Sequence, residues 1–137
     1  MFCFFRELAI IGALTLGGAS FSLLNGLMPL PWQEPELAAG EIRLEDAQVL
    51  DVIWIDARSE KEYAAGHIPG SILLNDSNWD TGIQDLMPLW LNKMRPMVVY
   101  CSSTHCDLSK RIATRLREAL PEAEIYSLNG GWEAWKK

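Results

Sequence analysis

A chain of 137 residues has room for one domain and a short appendage, and its 49% hydrophobic content is enough to bury a core. A formal net charge of −6, with no polybasic run, argues against nucleic acid, whose phosphates would be repelled, and against a lipid-headgroup site. Three cysteines, Cys3, Cys101 and Cys106, are too few to form a disulfide framework.

From Leu8 to Gln33 there is no charged residue. A helix rising about 1.5 Å per residue needs about 20 largely apolar residues to cross a bilayer. Residues 8–28 supply them, and Pro29 and Pro31 then stop the helix. Trp32 suits a membrane interface. Residues 1–30 are therefore predicted to hold a single transmembrane anchor. The rival reading is a cleaved signal peptide, with Gly17 and Ala19 small enough for cleavage before Ser20. Against it, the basic region is only Arg6, cancelled by Glu7, and the apolar run continues through Phe21, Leu23, Leu24 and Leu27. Arg6 before the span and Glu34, Glu36 and Glu41 after it place the N-terminus in the cytoplasm and the domain on the extracytoplasmic, periplasmic side. Ala9, Ala13 and Gly17 form a small-residue face on which weak self-association of the anchor could rest.

Residues 31–41 read as a linker, and Ile42–Leu44 as a short edge strand. The continuous apolar run Val52–Ile55 predicts a strand buried on both faces. Ser59 with Glu62 three residues on is a capping-box pattern opening a helix that Gly66 ends. His67–Gly70 reads as a turn, and Ser71–Leu74 as a strand. Residues 79–94 carry Ile83, Leu86, Met87, Trp90 and Leu91 at near-helical spacing, with Pro88 expected to kink or divide the helix. Met97–Tyr100 is a second buried-strand run. Leu108–Leu120 is the clearest helix, with Leu108, Ile112, Leu116 and Leu120 on one face flanked by Lys110, Arg111, Arg115 and Arg117. Ile125–Leu128 is the last strand, and Asn129-Gly130-Gly131 turns into a short helix over 132–136. Strands alternating with helices predict an α/β fold, a parallel sheet flanked by helices, with ligands at the carboxyl ends of its strands.

That placement singles out the segment just past Tyr100. Cys101 ends a buried strand, the loop Ser102, Ser103, Thr104, His105, Cys106, Asp107 comes after it, and a strong helix is next. Loop N–H groups and a helix N-terminus around a thiol favour the thiolate, the nucleophilic form. They would equally favour a persulfide or a bound oxyanion. The same pattern also suits a buried structural cysteine.

The stretch IDARSEKEYAAGHIPGSI, then VVYC with its loop and helix, then YSLNGGWEAW, resembles the rhodanese family over residues 41 to 137. The resemblance implies the rhodanese-like fold over 42–137 and Cys101 as the persulfide-forming residue. It implies that Asp56, Arg58, Glu62 and His67 hold the scaffold around the site. The loop departs from the family pattern, because SSTHCD has neither the usual Gly nor a basic Arg or Lys. Cys106-Asp107 stands where phosphatase-like members carry a phosphate-binding Arg, so phosphatase activity is not expected. Thiosulfate, also a dianion, is a doubtful donor unless Lys110 and Arg111 compensate. Asp107 can serve as helix N-cap. His105, the loop's one ionisable base, could support the thiolate as an imidazolium. Three candidate ligands on one tight loop do not make a zinc site, so no metal or organic cofactor is expected.

The expected activity is therefore sulfur transfer from a small sulfur donor to a thiol acceptor by way of Cys101. Two alternatives remain open. One is thiol–disulfide exchange between Cys101 and Cys106, and the other is a non-catalytic binding module.

Overall fold

Every strand of the sheet pairs in parallel, so each connection must cross from one end of the sheet to the other. The computed structural model describes residues 36–103 and 107–137. The expected anchor (8–28), Cys3 and the loop residues Thr104, His105 and Cys106 lie outside these. Among the described residues, no helix is long and apolar enough to cross a membrane.

The elements in chain order are β1 (Glu41–Ile42), α1 (Leu44–Val49), β2 (Ile53–Asp56), α2 (Glu60–Ala65), β3 (Ile72–Leu73), α3 (Trp79–Asn92), β4 (Met97–Tyr100), α4 (Asp107–Ala119), β5 (Ile125–Leu128) and α5 (Gly131–Trp135). The strand order is β1-β5-β4-β2-β3. The long apolar runs take the interior, with β4 pairing β2 on one side and β5 on the other. The two-residue strands β1 and β3 form the edges.

Strand alternation distributes the core over two faces. Ile53, Ile55, Met97, Val99 and Ile125 pack with Leu86 and Trp90 of α3 and with Ile112, Ala113 and Leu116 of α4. Val98, Tyr100 and Leu128 pack on the other face with Ala47 of α1, Ile68, and the half-buried Trp54, Trp132 and Trp135.

Several expectations are corrected. Glu41, assigned to the linker 31–41, already opens β1, and Leu44, assigned to the edge strand, opens α1 instead. Alpha-helix α1 has no side-chain cap and six residues, too short to show a helical period. Pro88 does not divide α3, which runs unbroken from Trp79 to Asn92. The buried stripe of α4 is Ser109, Ile112, Ala113 and Leu116, with Leu108 and Leu120 only partly buried at its margin. Asp107 is the first residue of α4, not its N-cap; its exposed carboxylate still lies in the first turn, where the helix dipole favours negative charge.

Candidate active site

The side chains around Cys101 are sorted by the pleat of β4. Val99 faces α4, Tyr100 faces the opposite side, and Cys101, two residues past Val99, returns to the α4 side. There the thiol is 1% exposed. Its Sγ lies 3.4 Å from Ser109 Oγ in the first turns of α4 and 3.6 Å from the carbonyl oxygen of Ser103. Ser109 Oγ in turn lies 2.9 Å from Ser127 Oγ on β5. Ser127 shares the α4 face because it stands two residues after Ile125, and its Cα pairs with Val99. Sulfur and both hydroxyls are buried together.

On the other face, Asp56 at the end of β2 is fully buried and accepts a fork of bonds from Arg58. Arg58 Nη2 donates to Oδ2 at 2.6 Å, Nε to Oδ1 at 3.0 Å, and the Arg58 backbone N–H to Oδ1 at 2.9 Å. A buried bidentate pair of this kind satisfies both charges where water is absent. Burial works against the guanidinium's charge, but the Asp56 bond and charge outweigh it and hold the Arg58 pKa above its ordinary value. Arg58 Nη2 also donates to the Gly66 carbonyl at 2.7 Å, and the guanidinium lies 4.7 Å from the Trp132 ring centroid.

The Tyr100 hydroxyl donates to Asp56 Oδ2 at 2.7 Å and accepts from the Ile68 N–H at 3.1 Å. Burial is the main cause that pushes its pKa up to about 12. Glu62 completes the capping box with Ser59 and accepts a 3.0 Å bond from the Ser102 hydroxyl. Bonds from Ser59, and then from Ser102, hold its carboxyl below the usual range. His67 stacks on Tyr63 with ring centroids 3.8 Å apart, and its Nδ1 lies 2.9 Å from the Tyr63 carbonyl oxygen.

The loop's first two residues are tied to α5. The Trp132 N–H donates to the Cys101 carbonyl at 2.7 Å, and the Glu133 N–H to the Ser102 carbonyl at 3.2 Å. Gly131, at φ +54°, backs directly onto the Cys101 carbonyl. The structure thus brings Asp56 and Arg58 together, links Glu62 to Ser102, and engages His67 with Tyr63 (Thr104, His105 and Cys106 are not described).

Lys110 and Arg111 both take part in partly exposed ion pairs. Lys110 pairs with Glu41 at 2.8 Å and Arg111 with Asp76 at 2.6 Å. Glu41 is the main cause of the raised Lys110 pKa, with Asp107 and Cys101 contributing less. Among the described residues, no group of three or more His, Cys, Asp or Glu is arranged to hold a metal ion.

Ser109, Ser127, Tyr100 and Trp132 were not singled out from sequence. A signal existed for Ser109, which occupies the i position of the i, i+3, i+4, i+7 stripe completed by Ile112, Ala113 and Leu116. A serine on an otherwise apolar stripe needs a polar partner.

Comparison with known proteins agrees with this geometry. The family model described as "Rhodanese-like domain" matches residues 39–137. The thiosulfate sulfurtransferase GlpE of Pseudoalteromonas translucida is 33% identical over 88 residues, 63% of this chain and 74% of that protein. A solved structure from Lactobacillus plantarum is 26% identical, with a TM-score of 0.55, covering 72% of this chain and 82% of its own. The human single-domain sulfurtransferase TSTD1 shares the fold at 21% identity and a TM-score of 0.52, covering 72% of this chain and 96% of its own. With a matched segment that takes in the whole sheet and the Cys101 region, the chain belongs to the rhodanese-like domain family.

Proposed function

We propose that this chain is a sulfurtransferase that carries sulfane sulfur as a persulfide on Cys101. The observation that carries the reading is the placement of Cys101, buried at the carboxyl end of β4 and bonded to Ser109 at the start of α4, in a chain similar to a thiosulfate sulfurtransferase. The Cys101 thiolate attacks the outer sulfur of the donor. The donor's S–S bond breaks and its electron pair leaves with the remaining fragment, sulfite from thiosulfate or a thiolate from a persulfide. The product is Cys101–S–S⁻. An acceptor thiolate then attacks the outer sulfur, and the Cys101 sulfur departs as thiolate.

The charges favour a donor other than thiosulfate. Lys110 and Arg111 are committed to Glu41 and Asp76, and Asp107 adds negative charge at the start of α4. A dianion is repelled there more than a singly charged persulfide or polysulfide. Intact-mass analysis after polysulfide treatment tests the reading. One sulfur atom, removable by a thiol and localised to Cys101 rather than Cys106 by peptide fragmentation, is the expected gain, and Cys101→Ser should neither gain it nor transfer it. No gain in the wild-type chain, or transfer by the Ser variant at the wild-type rate, overturns the assignment.

The uncharged run from Leu8 to Gln33 supports a second element of the proposal, a tether to a membrane through residues 8–28 with the domain on the extracytoplasmic side. The full chain should then partition with membranes and need detergent for release. Recovery of the full chain, N-terminus intact, in the soluble fraction overturns it. A truncated chain that begins before Ala38 keeps the turn in which the Ala38 carbonyl accepts the Glu41 N–H at 3.0 Å and the Ala38 N–H donates to Glu41 Oε2 at 3.3 Å.

A further inference from the structure

We propose that Ser109 is a positioning residue for the sulfur chemistry, donating its hydroxyl proton to the Cys101 sulfur, with Ser127 orienting that hydroxyl. The inference rests on Cys101 being the reacting residue and deepens that reading.

Burial creates the need for such a donor. Cys101, Ser109 and Ser127 are 1%, 2% and 4% exposed. A thiolate taken out of water is destabilised unless donors replace the lost solvent. The Ser103 carbonyl and the Ser109 hydroxyl, both beside the sulfur, differ in what they can do. The Ser103 carbonyl at 3.6 Å can only accept, so it suits the neutral thiol as donor. The Ser109 hydroxyl at 3.4 Å can accept from the thiol or donate to the thiolate. Deprotonation of Cys101 therefore reverses the Ser109 bond without moving a heavy atom.

The reversal needs a third group. When Ser109 turns its proton towards sulfur, its oxygen is left as acceptor, and Ser127 Oγ stands 2.9 Å away to donate to it. The three groups form a line from sheet to helix to sulfur, in which each O–H points to the next acceptor. The same donation serves the second half of the reaction. When an acceptor thiol removes the outer sulfur, Cys101 leaves as a thiolate, and the Ser109 proton stabilises that leaving group. Ser109 does not touch the transferred sulfur atom in this scheme; it acts through Cys101.

The pH dependence of Cys101 alkylation by iodoacetamide, localised to Cys101 by fragmentation of the peptide that carries both Cys101 and Cys106, tests the proposal. The measurement does not depend on sulfur transfer, so its failure is distinct from failure of the sulfurtransferase reading. Ser109→Ala should move the alkylation midpoint upward by about one pH unit, the size expected for losing one hydrogen bond to a charged group. Alkylation below the midpoint should then slow about tenfold. Ser127→Ala should shift the midpoint in the same direction by less. Ser109→Thr, which keeps the hydroxyl, should restore the wild-type midpoint even where its extra methyl lowers the melting temperature. An unchanged midpoint in a folded Ser109→Ala chain overturns the proposal. So does a Ser109→Thr variant shifted as far as the Ala variant, since that would make Ser109 a packing residue only.

Discussion

Tyr100 and Cys101 are consecutive, yet their side chains serve networks on opposite faces of the sheet: the phenol donates to Asp56 at 2.7 Å, and the thiol lies 3.4 Å from Ser109. The pleat of β4 makes this unavoidable, since adjacent residues of an extended chain point opposite ways. The scaffold that fixes the strand end is thus built on one side, and the Cys101 sulfur is presented on the other.

The phenol sets an alkaline limit on stability. Burial raises its pKa to about 12, against about 10 in an unfolded chain. The raised group's contribution is complete below pH about 10 and is lost as pH rises from there through about 12, because the unfolded chain releases its proton first. Tyr100→Phe should start less stable at neutral pH, having lost the bonds to Asp56 and Ile68, and should decline less steeply across that window. Urea titrations at stepped pH measure the difference. Parallel wild-type and variant curves above pH about 10 would contradict it.

Arg58, 4% exposed, is held by Asp56, the Gly66 carbonyl and the Trp132 face. Removing it leaves the Asp56 carboxylate buried without its partner, a loss of about 3–5 kcal/mol. Arg58→Ala should therefore lower the urea midpoint sharply, and Arg58→Lys should not rescue it, because an ammonium cannot form the two-toothed bond. The double variant Asp56→Asn/Arg58→Met should recover part of the loss. A double variant less stable than Arg58→Ala would show that the pair's charge, rather than its burial, is what matters.

Glu62 links α2 to the loop. Its carboxyl is held low by Ser59 and then Ser102, so its contribution is complete above the ordinary carboxylate pKa of about 4.3 and is lost as pH falls through the lower folded value. Glu62→Gln should flatten the acid limb of the stability curve. Wild-type steepness in the Gln variant below pH about 4 would rule this out.

Much of this was legible from sequence wherever one local rule dominated. Ser59 and Glu62 form the box that their spacing announces, and the apolar runs at 52–55, 97–100 and 125–128 became the three interior strands. Alpha-helix α1 was missed because LEDAQV is too short for periodicity and has no capping side chain. The α4 face was read in part: Leu108, Ile112, Leu116 and Leu120 do pack in or against the core, but the buried Ser109 and Ala113 beside them were outweighed by the leucines. Lys110 and Arg111 looked free because their partners, Glu41 and Asp76, are distant in sequence. Ser127 became part of the sulfur's surroundings only through the parallel register that sets it beside Val99.

Gly131 joins α5 to the start of the loop after β4. At φ +54° it occupies backbone space that residues with a Cβ rarely adopt. An added Cβ would overlap the Cys101 carbonyl oxygen and come within 3.0 Å of the Ser103 N–H nitrogen. Both neighbours are backbone, so no side-chain rotation relieves the overlap. The chain must shift, and what it shifts is the Cys101 carbonyl that the Trp132 N–H holds at 2.7 Å and the Ser102–Ser103 peptide, whose oxygen accepts from the Glu133 N–H at 3.2 Å. Gly131→Ala should therefore reduce sulfur loading of Cys101 by at least about tenfold, equivalent to about 1.4 kcal/mol in the barrier, even in the fraction that folds. The control is Gly70→Ala. That residue also has positive φ, +78°, but nothing lies within 4 Å of an added Cβ. It should lose stability to the backbone strain and keep the loading rate. Loading rates for the two variants, measured by intact mass on folded protein, separate strain from displacement. Equal loss in both, or a Gly131→Ala chain that loads at the wild-type rate, would show that the close approach of Gly131 to Cys101 does not govern the site.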